Sequence, residues 1–445
     1  MSQPNHLPLA VVGAGIAGSE AAWQLAQAGY RVDLYEMRPH RLSEAHQTGL
    51  AAELICSNSF KSLDLHNAHG ALKAELLAGG SRVLQAALEN RIPAGSALAV
   101  DRNGFSQSLT QALEGHPMIQ LVRQEVADLE VLLAKHPHLI LATGPLTSQP
   151  LMDSLGARLG QEGLYFYDAI APVVFEESID YTQAFRAARY DKGGADYLNC
   201  PFTKEQYADF VTALVGAEKV GFKDFEQPKH FEGCLPIEVM AGRTFETLAF
   251  GPLKPVGLTD PKTGRQPYAV LQLRQENRSG TLYNMVGCQT RMTWPEQQKV
   301  FRKVPGLGQA EFARLGSMHR NSYLNAPKHL GPGLTLKVDP RIQVAGQLTG
   351  AEGYSEAVGT GYWAALCLKA QLEQKPLPKP DPKTLLGSLI FYLSQASADN
   401  FQPMNANWGL VDSPKRPRSL GKSEFRTRLA EAGLKRFLEI LAPLR

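Results

Sequence analysis

The 445-residue sequence predicts an α/β fold in which a parallel sheet is interrupted by an inserted α+β domain. Three observations predict it. The apolar run LPLAVV enters a glycine turn at GAGIAG and then an alanine-rich helix. Apolar strands with helical segments between them recur to about residue 150, and the same texture returns near residue 341 after a long stretch of different character.

Residues 8–36 read as strand, turn, helix from Ile16 to about Ala28, and the strand RVDLYE, which together make one βαβ unit. ALEGHPMIQLVRQ, EVADLEVLLAKH and HLILATG, ending at Gly144, continue the alternation. From LYFYDAIAPVVFEE onward the chain turns to short β-like runs, aromatic-rich loops and prolines, as in FGPLKPVGLTDPKTGRQPYAVLQL at 250–273. RIQVAGQLTG then reads as a strand entering a glycine turn, and SEAVGTGYWAALCLKAQL as an amphipathic helix. The expected division is 1–163 for the first part of the nucleotide-type domain, 164–335 for the insertion, and 336–445 for the second part with a basic C-terminal tail.

An apolar fraction of 44% with 20% charged residues is ordinary for a globular protein. The longest apolar stretches are broken by glycines, are too short for a bilayer core of about 30 Å, and lack the flanks of a signal peptide. The expected compartment is the cytoplasm, with no membrane partner. Cys56, Cys200, Cys234, Cys288 and Cys367 are scattered, with no CxxC pair and no Cys/His cluster at zinc spacing, so any cysteine that matters acts as an individual thiol. The net charge of +3 is uneven: residues 401–445 hold nine Lys/Arg against four Asp/Glu. A solvated helix or a nucleic-acid contact would each explain that tail.

Gly13, Gly15 and Gly18 form GxGxxG between a predicted strand and helix. The turn needs Gly13, close approach of a pyrophosphate needs the bare backbone at Gly15, and helix packing needs Gly18. The backbone N–H groups from Ala14 through Ile16 and Ala17, with the helix dipole, would face the phosphates. Glu36 ends the next strand 18 residues past Gly18, where a carboxylate receives ribose hydroxyls, with Arg38 beside it. Two later features favour FAD over NAD: the strand-terminating ATG ending at Gly144, and AGQLTGAEG at 345–353, leading to a helix whose N-terminus would sit at an isoalloxazine ring. The fold class is therefore an FAD-binding dinucleotide fold of the glutathione-reductase-like kind. The late strand of that class usually ends Gly-Asp; here it ends Gly346-Gln347, which removes a charge but keeps a hydrogen-bonding side chain.

Cys56 in ELICSNSFKSL and Cys234 in HFEGCLPIEVMAGRTFETLAFGPLKPVGL have surroundings of Gly, Ser, Asn or Pro, unlike the uniform apolar context of a core cysteine, although composition alone favours an inert thiol at each. At this point longer strings become recognisable. GAGIAGSEAAWQLA, LYEMRP, LICSNSF, NAHGALKAE, AGSALAVDRNGFS, ATGPLTS, LYFYDAIAPVV, YLNCPFTKEQY, FEGCLPIEVMAGRT, FGPLKPVGL, MHRNSYLN, AGQLTGAEGYSEA and FQPMNANWGL occur in this order nearly end to end. The sequence resembles the TrmFO family of folate- and FAD-dependent tRNA (uracil-5-)-methyltransferases, relatives of the MnmG/GidA flavoproteins.

The resemblance implies transfer of a one-carbon unit from 5,10-methylenetetrahydrofolate to carbon 5 of uridine 54 in the tRNA T-loop, with FAD cycling, NAD(P)H as reductant and tetrahydrofolate released. It implies that Cys234 adds to uracil carbon 6, turning the ring into an enolate that takes the methylene carried on reduced flavin, and that Cys56 assists proton removal at carbon 5. Glu238 and Arg243 lie in matching strings and are as readily structural as catalytic. Tyr354 would stack on the flavin or the folate, or else pack as core. Arg291, His319, Arg320 and the tail residues Lys415, Arg416, Arg418 and Lys422 are the cations expected to hold tRNA, while Cys200, Cys288 and Cys367 are expected to be buried bystanders. Two other readings stay open: a GidA-like wobble-uridine enzyme, expected to be longer by a helical domain, and a non-catalytic FAD-containing tRNA binder.

Overall fold

The computed structural model describes residues 7–160, 164–191, 194–221 and 235–444; the side chains of residues 164–168, 191, 319, 320 and 400 lie outside that description. Leu9–Val12 is buried along its whole length at the centre of a six-stranded sheet. Val32–Tyr35 and then Ile119–Val122 lie on one side of it, and Leu139–Leu141 and then Asp339–Val344 on the other, all parallel. Thr335–Leu336 closes that edge in antiparallel pairing. Strands flanked by helices on both faces read as unbroken apolar runs, which is why LAVV and LIL carry no polar alternation.

The helix Ile16–Gln27 follows the glycine turn, and the helix Tyr354–Leu372 follows the late strand. They touch backbone to backbone: a Cβ on Gly361 would lie 2.2 Å from the Ala17 carbonyl oxygen. The return of the chain at residue 339 thus rebuilds the first sheet and packs a second helix on the first.

Between these passages the chain forms an antiparallel six-stranded sheet ordered Phe185–Ala187, Tyr197–Phe202, Ala269–Gln275, Leu282–Met285, Val173–Phe175, Phe312–Arg314, with its own buried cluster. A ribbon of Leu164–Ala169 against Met318–Tyr323 carries the chain out and back. The segment EVADLEVLLAKH yields only the short helix Leu129–Leu133. A small antiparallel sheet of Ser59–Ser62, Ala97–Val100 and Arg91–Ile92, without a counterpart in the sequence reading, sits beside the first sheet. Near the C-terminus, Lys422–Leu441 buries Ala430, Gly433, Phe437 and Leu441 against the helix Ala68–Ala78. Among the described residues no helix is long and apolar enough to cross a membrane.

Candidate functional site

A cleft of about 340 Å³ runs from the first glycine turn to the start of the helix Tyr354–Leu372. At its first end Gly13 takes φ +97°, and a Cβ there would meet the Ala142 carbonyl oxygen at 2.6 Å. A Cβ on Gly18 would sit 1.8 Å from the Gly13 oxygen, so Gly18 lets the helix pass under its own turn. Gly15 differs: a Cβ there has nothing within 4 Å and would point into open space. No side chain caps the helix at Gly15 and no acidic residue occupies its first turn, leaving the first N–H groups for an anion. Gly13, Gly15, Ile16 and Ala17 line the cleft. The cradle fits a dinucleotide pyrophosphate.

Two expectations change here. Ala14 does not face the cleft; it is fully buried, and its N–H donates to Glu36 Oε2 at 3.0 Å. Glu36 lines the cleft, but its carboxylate also accepts the Arg38 N–H at 3.0 Å, Arg38 Nε at 2.9 Å and a terminal guanidinium N–H of Arg38 at 3.0 Å. Those four donors fill the roughly four acceptor positions of a carboxylate, so ribose hydroxyls reach Glu36 only if Arg38 moves. Burial pushes the Glu36 carboxyl up, but Arg38 and the Ala14 N–H outweigh it and hold it below the usual range. Arg38 is itself 2% exposed and also reaches Glu53 at 3.1 Å.

At the other end the cleft is lined by Cys56, Gly346, Gln347, Gly353 and Tyr354, and Gly144 lines it between the two ends. Gly346 takes φ +72° and its N–H donates to Thr360 Oγ1 at 2.8 Å. The Gln347 amide is engaged by Glu352. The Tyr354 hydroxyl accepts the Cys56 N–H at 3.0 Å, its ring lies 5.4 Å from that of Phe60, and burial pushes its phenol up. Tyr354 therefore holds the thiol's loop as well as forming cleft wall.

The Cys56 loop is also held by Arg102, which pairs with a carboxylate of the antiparallel domain, and by Arg314 of that domain. Arg102 pairs with Glu276 at 2.5 Å and donates to the carbonyls of Leu54 and, at 3.1 Å, Cys56. Arg314 donates to the Cys56 carbonyl at 3.3 Å. Asn58 closes the seam by accepting from Arg274 at 3.0 Å and donating to the Gln275 carbonyl at 3.0 Å. The sequence reading missed Asn58, Arg102, Glu276 and Arg314, whose partners lie far away along the chain.

Cys234 lies outside the described residues. The described chain resumes at Leu235, and the Ile237 N–H donates at 2.7 Å to the carbonyl of Gln289, a cleft-lining residue. Glu238 is 3% exposed and accepts from Thr290 Oγ1 at 2.8 Å and the Arg291 N–H at 2.9 Å, which makes it a structural clamp on that wall. Arg291 and the exposed Arg243 do not line the cleft. His319 and Arg320 lie on the ribbon strand Met318–Tyr323, whose Asn321 does line it. Lys415, Arg416 and Arg418 are exposed on the loop before the helix Lys422–Leu441. Cys200, Cys288 and Cys367 are fully buried, and burial pushes the Cys200 thiol up to about 12 and the other two upward as well.

A family model described as glucose inhibited division protein A matches residues 8–376. The methylenetetrahydrofolate--tRNA-(uracil-5-)-methyltransferase TrmFO of Geobacter sulfurreducens is 53% identical over 95% of this chain and 96% of its own. That of Natranaerobius thermophilus is 50% identical over 97% of this chain and 100% of its own. Among solved structures, GidA of Aquifex aeolicus superposes with a TM-score of 0.69 at 16% identity, covering 98% of this chain and 74% of that one, a likeness of fold. The chain belongs to the glucose-inhibited-division-protein-A family and, at half or more identity over nearly its whole length, to its TrmFO methyltransferase branch.

Proposed function

We propose that this chain methylates carbon 5 of uridine 54 in the tRNA T-loop, with 5,10-methylenetetrahydrofolate as carbon donor and NAD(P)H as reductant, in the cytoplasm. Family membership carries the reaction class, folate-dependent methylation of tRNA uracil at carbon 5. The observation that carries the site is one continuous cleft joining the Gly15 cradle to Cys56 and Tyr354. Gly13, Gly15 and the first turn of Ile16–Gln27 would hold the FAD pyrophosphate, and Gly346, Gln347 and the start of Tyr354–Leu372 its far end. When bound, FAD supplies the reducing electrons. The working division into residues 1–163, 164–335 and 336–445 rests on the strand Asp339–Val344 completing the first sheet.

In this reading the Cys234 thiolate adds to uracil carbon 6, the ring electrons move to the carbon 4 oxygen, and carbon 5 becomes nucleophilic. After carbon–carbon bond formation Cys56 takes the carbon 5 proton, the nitrogen that carried the methylene departs, and two reducing electrons with a proton turn the resulting methylene into the methyl group as the Cys234 thiolate leaves. The Cys56 loop, tied to both domains, would hold its sulfur at a fixed place against the base.

The test is trapping with tRNA containing 5-fluorouracil, whose fluorine cannot leave as a proton does. The adduct should map to Cys234 and vanish in Cys234→Ala, which still binds FAD. An adduct on Cys56 would reverse the two roles, and methyl transfer from S-adenosylmethionine without folate would overturn the proposal.

A further inference from the structure

Lys61 is a lysine in the left-handed region, φ +64°, on the wall of the cleft. Residues with a Cβ avoid that conformation, and where one is held there the surroundings must enforce it. Here they do. The Lys61 N–H donates to Ser59 Oγ at 3.0 Å. The preceding carbonyl, that of Phe60, accepts from the fully buried Lys73 ammonium at 2.8 Å and from Ser355 Oγ at 3.4 Å. The pairing of Ser59–Ser62 with Ala97–Val100 shifts register between its two ends, the kind of irregularity that re-aims a side chain. Lys73 and Ser355 come from two different helices, so the peptide is fixed from beneath on both sides.

The charges around the cleft give this geometry a purpose. Among the described residues two Lys/Arg side chains line it. Arg38 is committed to Glu36 and Glu53. Lys61 is exposed, and the carboxylate it faces electrostatically is Glu356, which is fully buried and already accepts the Ala406 N–H at 2.9 Å and pairs with His69 at 3.2 Å. Lys61 follows Phe60, whose ring lies 5.4 Å from that of Tyr354 and whose carbonyl accepts from Ser355, so Lys61 stands at the Cys56–Tyr354 end of the cleft. An exposed cation there is placed for an anion other than the phosphates of FAD.

We propose that Lys61 is the subsite for the glutamate carboxylates of the reduced folate co-substrate. The pterin ring of such a folate is flat and apolar enough to enter the slot beside Tyr354, while its glutamate tail carries two carboxylates that must stay near solvent and a cation. An exposed lysine at the rim meets both needs. This inference rests on the folate-dependent reading above.

The experiment compares kcat/KM for 5,10-methylenetetrahydrofolate and for 5,10-methylenetetrahydropteroate, which lacks the glutamate, in the wild type, Lys61→Met and Lys61→Arg holoenzymes. The wild type should prefer the glutamate-bearing form, Lys61→Met should shrink that preference by about three- to tenfold, and Lys61→Arg should restore most of it. If the wild type transfers no carbon from either folate, the functional reading itself fails. If it does, and Lys61→Met leaves the preference unchanged, lowers both co-substrates equally, or changes only the KM for tRNA, the subsite assignment is overturned.

Discussion

The backbone N–H of Cys56 donates to the Tyr354 hydroxyl at 3.0 Å, so a loop from the first third of the chain hangs from the first residue of the late helix. Tyr354→Phe keeps the ring packed on Phe60 and removes that acceptor. A hydrogen bond of this kind contributes about 0.5–1.5 kcal/mol. The expected outcome is a kcat lower by about two- to tenfold with a full complement of FAD, read from turnover and from flavin absorbance per protein. Loss of FAD in step with activity would make the hydroxyl a cofactor contact instead.

Gly15 and Gly18 should fail in opposite ways. At Gly15 a side chain has open space, so Gly15→Val should fold with the melting temperature of the FAD-free wild type yet purify without FAD, because its methyl groups fill the pyrophosphate cradle. At Gly18 a Cβ would lie 1.8 Å from a backbone oxygen that cannot move aside. Gly18→Ala should lower the melting temperature or abolish soluble expression. Thermal melts with and without added FAD distinguish the two.

Arg102 and Glu276 join the domains beneath Cys56, and Glu276 is 3% exposed. Arg102→Met leaves that carboxylate buried without its partner, which costs about 3–5 kcal/mol for a broken buried pair. The variant should unfold earlier by several degrees. Arg102→Met combined with Glu276→Leu should recover much of the loss, as a double-mutant cycle would measure. Additive losses would show that the two side chains act separately.

The physical reach of each interaction decides how much of this was legible from the sequence. The glycine turn, the helix from Ile16 and the strand before Glu36 follow from residues within one βαβ unit, and local periodicity finds them. The late strand was legible because an apolar run entering a glycine turn has the same local character wherever it occurs. The filling of Glu36 by Arg38 was not, since both residues matched the pattern while the guanidinium's direction depends on Glu53. Tyr354 meets Cys56 across 298 residues and Arg102 meets Glu276 across 174, and no spacing rule announces such pairs. Lys61 escaped notice because its left-handed backbone is imposed by Lys73 and Ser355, not by its own residue type.

Glu75 should make stability fall as pH rises from about 4.5 toward 7. Burial raises its carboxyl from 4.5 to about 7, against the lowering effect of the Leu386 and Leu385 N–H groups it accepts at 2.9 and 2.8 Å. In the unfolded chain the group ionises near its ordinary value, so between about pH 4.5 and 7 the folded state binds the extra proton. The contribution is fully present below that window and is lost across it, on the order of 3 kcal/mol. Denaturant unfolding of wild type and Glu75→Gln from pH 5 to 8 should show the wild type losing stability relative to the variant. A gap that stays constant with pH would mean that the two N–H donors keep the carboxylate ionised throughout.

The basic tail is the last point at which charge alone must be separated from contact. Lys415, Arg416 and Arg418 are exposed, and the Arg416 guanidinium donates to the Leu420 carbonyl. Farther along, Arg428 pairs with Glu424 and Arg436 with Asp381, so part of the charge of the helix Lys422–Leu441 is neutralised within the chain, whereas among the described residues no carboxylate pairs with Lys415, Arg416 or Arg418. A cation that touches a phosphate releases a condensed counterion, and each such contact adds about 0.7–0.9 to the slope of log affinity against log salt. Replacing Lys415, Arg416 and Arg418 together with glutamine should weaken tRNA binding and reduce that slope by about 2 to 3. Binding titrations at several salt concentrations measure both quantities at once. A slope that does not change would show that the loop is solvated in the complex, and would move the search for the tRNA contact to the ribbon strand Met318–Tyr323 at the edge of the cleft.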